Sequence, residues 1–308
     1  MCSSVFRGEL SKLPTARDAF RTHLCDFMNT GAQPPKTGIS LSIVAFRTPA
    51  EQLKCAVESA FLALQVAGLE AGSKITVVDN GDGSDCAHEQ LLPLVERLEG
   101  SGCALDFVQG HGNIGYGAAH NLAFEQGHHP LHLFMNADVE LDSQVFLQGS
   151  AYFKENKDVA MISPKAYDSM GNRQFLCKRY PTVLDLFLRG FGPNFLKKHF
   201  SHRLAHYEMR ELEFVKGASK DITIISGCFM FCRSDYIRQL GGFDTSFFLY
   251  FEDFDLSLRI GRDAKLAYVP DMKIRHYGGH SARKGAAHIL MFMRSAYRFF
   301  ALHGWRWI

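Results

Sequence analysis

The chain has 308 residues, 46% hydrophobic and 21% charged, which suits one large α/β domain or two smaller ones. A formal net charge of +2 gives no general case for nucleic-acid binding. Eight scattered cysteines with no C-x-x-C spacing suggest neither a zinc site nor a disulfide framework, and fit reduced thiols in the cytoplasm.

Residues 1–38 read as an appendage, with a helix predicted around Arg17–Met28 and a linker of helix breakers from Gly31 to Gly38. The first ten residues lack the apolar core of a signal peptide, and no stretch reaches the length of a membrane span. A soluble protein, at most attached to a membrane surface, is expected. Ile39–Phe46 is a short apolar run suited to a buried strand. Thr48-Pro-Ala-Glu51 then has the form of a capping box with Pro at the first helical position. The helix that follows sets Leu53, Ala56, Val57, Ala60, Phe61 and Leu64 on one face.

Strands are predicted at Lys74–Asp79, Leu105–Gln109 and Leu131–Met135, and helices at Ala87–Leu98 and Ile114–Gln126. This alternation indicates βαβ units and a mostly parallel sheet, in which ligands bind outside the carboxyl ends of the strands. Three strand ends carry suitable residues: Asp79-Asn-Gly-Asp-Gly-Ser84, Gly110-His-Gly-Asn-Ile-Gly115 and Asn136-Ala-Asp138.

After Val159–Ser163 the regular pattern fails. Residues 165–221 mix charge, aromatics and loop formers, including Lys178-Arg-Tyr-Pro181 and Phe191-Gly-Pro-Asn194, and read as an insertion or lid bearing on specificity. Order returns with a strand at Ile222–Cys232, interrupted by Gly227, and a helix at Asp235–Leu240. Short strands at Lys265–Val269 and Lys273–His276 and a helix at Ala286–Leu302 complete the chain.

Glu252, Asp253 and Asp255 directly follow the apolar run Phe247–Phe251. Carboxylates beside so much apolar surface carry a desolvation cost unless paired, hydrogen-bonded or bound to a cation, which makes them candidates for proton transfer or metal binding. They could equally open a surface helix, whose N-terminal turn favours negative charge. Gly110-x-Gly112-x-x-Gly115 matches a dinucleotide fingerprint in letters, with Asp138 downstream as the acid, so an NAD-dependent oxidoreductase is the rival. Against it, two strands and two helices precede the loop, and Asp79 and the acid cluster are left without a role. The glycines could also serve only tight turning and helix–sheet packing.

Taken in order, Val77-Val-Asp-Asn80, Gly112-Asn-Ile-Gly-Tyr-Gly-Ala-Ala-His-Asn121, Met135-Asn-Ala-Asp138, Gly227-Cys-Phe-Met230 and Phe248-Leu-Tyr-Phe-Glu-Asp-Phe-Asp-Leu256 resemble the family-2 glycosyltransferases. The likeness is strongest to the bacterial rhamnosyltransferase-like branch of polysaccharide assembly and covers roughly residues 39 to 300. It implies an α/β GT-A fold, with a Rossmann-like, mostly parallel sheet flanked by helices in one catalytic domain, 39–285. Residues 165–221 would be its insertion and 286–308 a basic amphipathic helical tail. The resemblance further implies a nucleotide-sugar donor, a divalent cation (Mg2+ or Mn2+), and inversion at the anomeric carbon.

On that resemblance Asp138 is the metal ligand, and His276 contacts the metal or the diphosphate, although a strand-end histidine is as often structural. Asn136 would bond the donor's ribose or sugar. Asp79 would accept from the imide N–H of uracil or thymine, with Asn80 beside it. Asn113 and the Gly115–Gly117 backbone would line the nucleotide cleft, with Gly227 also at the donor. Asp253 would be the base that takes the acceptor's proton, Glu252 would bind acceptor or orient the site, and Asp255 would cap or pair locally. Arg283 and Lys284 could meet diphosphate charge or belong to the basic tail.

Some features depart from the family pattern. Asn-Ala-Asp replaces the common Asn-Pro-Asp or Asp-x-Asp, so metal affinity rests on one carboxylate. Arg47 stands where many relatives carry Asn, and the processive members' Gln-x-x-Arg-Trp is absent, which favours one sugar per encounter.

From Lys273 to the end there are seven Lys/Arg residues and no acid. The last helix could therefore lie on anionic lipid or pack over the core with its arginines in solvent. The expected protein transfers a sugar, rhamnose first, from a dTDP- or UDP-sugar to a saccharide or lipid-linked acceptor in a bacterial surface glycan such as O-antigen. Its expected place is the cytoplasm or the inner face of the plasma membrane, with no nucleic-acid partner. The alternatives are the oxidoreductase and a catalytically inactive nucleotide-sugar-binding protein.

Overall fold

The computed structural model describes residues 38–81, 87–278 and 285–308. The helix expected at Arg17–Met28, the linker, and Arg283 and Lys284 lie outside the described residues.

Strand β1 (Ile39–Ala45) is buried along its whole length, with parallel partners on both sides. A strand covered on both faces must satisfy its polar side chains internally, and it does. The Ser40 hydroxyl meets His132 Nδ1 at 2.6 Å, and Ser42 meets His120 Nδ1 at 2.6 Å and His132 Nε2 at 3.0 Å. Helix α1 (Ala50–Ala67) lays the expected face, Leu53 to Leu64, on the sheet. The capping box expected at its start does not form. Pro49, held extended at ψ 138°, is itself the N-cap without a side-chain bond, and the Thr48 hydroxyl accepts from the Phe46 N–H at 3.3 Å.

The alternation then runs β2 (Lys74–Asp79), α2 (Ala87–Glu99), β3 (Ala104–Val108), α3 (Tyr116–Glu125) and β4 (Leu131–Asn136). Beyond it come β5 (Val139–Leu141), α4 (Val145–Glu155) and β6 (Val159–Tyr167). The region expected as an insertion holds β7 (Arg173–Gln174), β8 (Cys177–Lys178), α5 (Val183–Gly190), α6 (Asn194–His199) and α7 (Ser201–Tyr207). The chain closes with β9 (Ser219–Ile222), β10 (Ile224–Ile225), β11 (Phe229–Arg233), α8 (Ser234–Leu240), α9 (Glu252–Ile260), β12 (Lys265–His276) and α10 (Ala286–His303).

The main sheet has the order β3-β2-β1-β4-β11-β6-β12-β5. The first four strands are mutually parallel, β11 runs antiparallel to β4 and β6, and β12 is parallel to β6. It is a mixed sheet whose β3-β2-β1-β4 half is parallel, with helices on its faces. The carboxyl ends of β1, β2 and β4 therefore open on the same edge, where Arg47, Asn80 and Asn136 stand.

Two expectations fail in an informative way. The strand expected over Ile222–Cys232 is interrupted at Gly227 as expected, but it also breaks after Ile222, giving the end of β9, β10 and β11, where side chains of α9 take its backbone donors. Ser257 Oγ accepts from Ile225 N at 3.1 Å, and Asp253 Oδ2 accepts from Gly227 N at 2.8 Å. The two strands expected over Lys265–His276 are one, with a register shift between Val269 and Lys273 that absorbs the extra residues.

Helix α10 packs Ala296, Phe299 and Phe300 into a core cluster with Phe247, Phe251 and Phe254. Phe251 and Tyr250 both adopt left-handed backbone (φ 68° and 70°), a conformation costing bulky residues roughly 1–3 kcal/mol each. Burial of the Phe251 ring against Phe254, Phe292 and Phe299, at 5.2, 5.2 and 5.2 Å between centroids, offsets that strain. The consequence is positional: the turn aims the first residues of α9, Glu252 and Asp253, at the sheet edge.

Candidate active site at the meeting of two clefts

Two clefts open beside the end of β4. The first, about 650 Å³, lies over the β1 and β2 ends and includes Arg47, Asn80, Asn113, Gly115, Tyr116 and Phe248. The second, about 820 Å³, lies toward β7 and β8 and includes Gln174, Lys178, Arg189 and His276. Gln52, Asn136 and Asp138 line both. Asp138 therefore stands at the junction, where a group could pass from one cleft to the other.

The wall of the first cleft is a hydrogen-bonded chain. Asn80 Nδ2 donates to Asn113 Oδ1 (3.2 Å) and to the Gly115 carbonyl (3.3 Å), and Asn80 Oδ1 accepts from Ile114 N (3.1 Å). This fixes the loop before α3. Gly115, at φ 92°, is obligatory there, since a Cβ would lie 2.5 Å from the Phe248 carbonyl oxygen. That contact does not favour the dinucleotide reading: Gly115 is needed to admit the 248 backbone, and the loop follows β3, the edge strand of the sheet. Gly117 is not in the cleft wall; it is buried, and a Cβ there would meet Phe243 Cβ at 2.8 Å. Asp79 is 6% exposed, and its Oδ1 accepts from Gly81 N at 2.9 Å, directly before the undescribed residues 82–86.

Tyr116 carries the wall onward. Its hydroxyl donates to the Gly227 carbonyl (2.6 Å), and the Gly227 N–H donates to Asp253 Oδ2 (2.8 Å). Asp253 Oδ1 accepts from Phe254 N (2.9 Å), so each carboxylate oxygen keeps lone pairs for a further proton or donor. Glu252 is buried and Asp253 part-buried; neither lines a cleft, while Tyr116 lines the first and Ser226 the second. Burial pushes the Asp253 pKa up, opposed by the Gly227 N–H and the charge of Lys178. Glu252 is held well above the usual carboxylate range by burial and then by the charge of Asp253, and its buried Oε2 has no hydrogen-bond partner. Asp255 pairs locally, with Arg259 at 2.7 Å and His303 at 2.9 Å.

At the junction, His276 Nε2 lies 3.5 Å from Asp138 Oδ1, an ion-pair separation, and that buried oxygen has no hydrogen-bond partner. Burial acts to raise the Asp138 pKa, but His276 and Asn136 outweigh it and hold the carboxyl below its ordinary value. Gln174 Oε1 accepts from His276 Nδ1 at 2.7 Å, which fixes the ring with Nε2 on the Asp138 side. A Cβ at Gly278 would lie 2.5 Å from Asp138 Oδ2 and 2.6 Å from His276 Nε2. The glycine keeps clear a space bounded by one oxygen and one nitrogen donor. No cluster of three or more metal-ligating side chains occurs among the described residues. A hard cation bound by one carboxylate and completed by substrate phosphates needs none, so the residues fit such an ion.

Sequence reasoning singled out Asp138, His276, Asn80, Asn113, Asn136 and Gly115, which the structure brings to the first cleft or the junction. It missed Tyr116, Gln174, Lys178 and Arg189. Only Tyr116 lay inside a recognised motif; the others fall in residues 165–221, where no periodicity announces which side chains face the site.

A family profile described as Glycosyl transferase family 2 matches residues 43–241. The chain is 34% identical over 91 residues to an N-acetylglucosaminyl-diphospho-decaprenol L-rhamnosyltransferase of Mycobacterium tuberculosis, covering 29% of this chain and 30% of that protein. It is 43% identical over 60 residues to rhamnosyltransferase WbbL of Escherichia coli strain K12, covering 19% of this chain and 22% of that one. These alignments span less than a third of either relative's length. Among solved structures, GalNAc-T7 with UDP, GalNAc and Mn2+ superposes with a TM-score of 0.60 at 13% identity, over 87% of this chain and 48% of that one. At that identity the likeness is one of fold, and the fold is that of the GT-A glycosyltransferases.

Proposed function

The chain belongs to glycosyl transferase family 2, and on that premise we propose that it transfers a sugar from a nucleotide donor in the first cleft to a saccharide acceptor in the second, with inversion. The observation that carries this reading is the sharing of Gln52, Asn136 and Asp138 by two otherwise separate clefts. The rhamnosyltransferase names of two relatives support an L-rhamnosyl donor on dTDP or UDP, and a lipid-linked saccharide of a surface glycan such as O-antigen as acceptor.

Asp79, Asn80, Asn113 and Gly115 hold the nucleotide, and Asn136 the donor's ribose or sugar. Asp138 and His276 would hold a divalent cation, Mg2+ or Mn2+, which would neutralise charge on the diphosphate. The acceptor hydroxyl oxygen attacks the anomeric carbon from the side opposite the diphosphate, and the sugar–phosphate bond breaks. The hydroxyl proton passes to Asp253, and the nucleoside diphosphate leaves with the bonding electrons. Glu252, whose carboxyl burial and then the charge of Asp253 push upward, helps orient the acceptor.

Acceptor transfer and heat protection together separate these roles. Asp253→Asn is expected to abolish transfer to a saccharide acceptor while preserving nucleotide-dependent protection against heat, and Asp138→Ala to lose the metal-dependent part of that protection. Transfer at the native rate by Asp253→Asn overturns the assignment of the base.

The protein also sits on the inner face of the plasma membrane in this reading. Among the described residues no helix is long and apolar enough to cross a bilayer. The outer face of α10 exposes Leu290, Met293 and Tyr297, and the following tail exposes Trp305 and Trp307. Arg294 and Arg298 flank that stripe, which is the arrangement of an interfacial helix on anionic lipid. Flotation with anionic liposomes that survives Arg294→Glu with Arg298→Glu would count against it.

A further inference from the structure

More than half of the exposed large apolar side chains among the described residues fall in two short segments, 187–195 and 289–308. The second is the outer face of α10 with the tail. The first is the end of α5 and the start of α6, where Phe187, Phe191 and Phe195 are exposed, the last at 71%.

The two segments are joined at three places. The first N–H groups of a helix have no partner within it, and here the tail supplies one. The Val183 N–H donates to the Arg306 carbonyl (2.8 Å) and the Leu184 N–H to the Trp307 carbonyl (3.2 Å). At the other end of α5, the Phe191 ring meets Phe292 of α10 at 6.0 Å between centroids. Between these contacts, Leu186 shares a core cluster with Ala296, Phe299 and Phe300. Helix α5 therefore starts beside the end of α10 and finishes beside its middle, running the opposite way.

Charge follows the same boundary. The sequence has no Asp or Glu between Asp185 and Glu208, and none after Asp271. Lys197 and Lys198, in the last turn of α6, enter no ion pair among the described residues, and neither does Arg294. Exposed apolar side chains at this density mark a surface that something covers. Aromatic rings flanked by unpaired cations, with no acid among them, match an anionic bilayer, where rings sit at headgroup level and each cation meets phosphate.

We propose that α5 and α6 form a second membrane-contacting element beside α10, with Phe191 and Phe195 entering the headgroup layer of an anionic bilayer and Lys197 and Lys198 meeting its phosphates. This rests on the reading of α10 as an interfacial helix and goes beyond it. The region expected as an insertion or lid becomes a docking element. A single helix lying on a bilayer can roll about its axis, whereas two joined side by side cannot, so the pair fixes the protein's orientation. Because α5 also brings Arg189 to the second cleft, the same element sets how that cleft faces the bilayer.

Trp305 and Trp307 are the chain's two tryptophans, so a single fluorescent reporter can be moved. In the full chain carrying Trp305→Phe and Trp307→Phe, Phe195→Trp puts the sole indole on α6. On vesicles of phosphatidylcholine and phosphatidylglycerol its emission is expected to shift to the blue and to be quenched when the acyl chains are brominated. Vesicles of phosphatidylcholine alone should do neither. In the otherwise native chain, Lys197→Glu with Lys198→Glu should weaken partitioning onto the anionic vesicles at least tenfold, with the melting temperature unchanged. Vesicle-bound Phe195→Trp protein with unquenched emission, or undiminished partitioning of the lysine variant, overturns this proposal and leaves the role of α10 standing. Failure of the native protein to bind anionic vesicles overturns both. Concentration-dependent self-association in place of vesicle binding would assign the surface to a second copy of the chain, and would overturn both as well.

Discussion

Gly278→Ala tests the cation site with the least damage to the fold. The added methyl carbon would lie 2.5 Å from Asp138 Oδ2 and 2.6 Å from His276 Nε2. Ligand–metal distances for hard and borderline cations are about 2.0–2.2 Å, so the methyl claims the space that both donors bound. To relieve the contact each donor must retreat by about 0.8–0.9 Å, measured against an ordinary contact of about 3.4 Å. Both contacts are with ends of side chains, and the backbone at Gly278 is outside the left-handed region, so the fold can accommodate the change. The His276 ring is tied at Nδ1 by Gln174 and cannot follow a displaced Asp138. The two donors therefore cannot face one ion together. Mn2+ affinity in the presence of UDP, read by the electron paramagnetic resonance of free Mn2+, should fall at least tenfold, about 1.4 kcal/mol. The melting temperature without metal should move by no more than about 2 °C. A folded Gly278→Ala protein with native Mn2+ affinity would show that Asp138 and His276 are not the ligands.

Three further outcomes follow from the same geometry. Gln174→Leu should lower Mn2+ affinity about 10–100-fold, the usual effect of removing the group that orients a histidine ligand. Nitrogen NMR of His276 in that variant should show the loss of the tautomer with hydrogen on Nδ1, and an unchanged tautomer would sink the positioning role. Glu252→Gln should stabilise the protein increasingly as pH rises from 5 to 9. The folded-state pKa of Glu252 is raised, so its stabilising contribution is complete below the unfolded value and lost as pH climbs through the folded one, whereas glutamine has nothing to lose. A melting-temperature difference that stays flat with pH would contradict this. Lys178→Met should move the acid limb of the kcat/KM profile to higher pH, because the charge of Lys178 is one of the influences holding the Asp253 pKa down; an unmoved limb would dissociate the two residues.

The parallel half of the sheet was legible because its signals are local. β1, β2 and β4 announce themselves as short apolar runs, and each ends in the residue types that a strand-end site uses. The antiparallel half was not, and the reason is specific. Whether Ile222–Cys232 is one strand or three depends on Ser257 and Asp253, some thirty positions away, taking its N–H groups. Gln174 and Lys178 gain their places only through two-residue strands paired to β6 and β10, too short to leave a periodicity. The same dependence explains why the acid cluster could be found by composition but not oriented by it. The turn at Tyr250 and Phe251 holds two aromatics in left-handed backbone, which local preference argues against and only the ring packing with Phe254, Phe292 and Phe299 makes tolerable. Function sits where local preference is overruled: the strained turn aims Asp253, the broken strand presents Gly227 to it, and the shortest strands deliver the cations. A homologous chain that kept every motif of the parallel half but lost the aromatic packing under α10 would retain the first cleft without Asp253 held beside it. The packing of Phe299 is therefore as much a part of this site as Asp138.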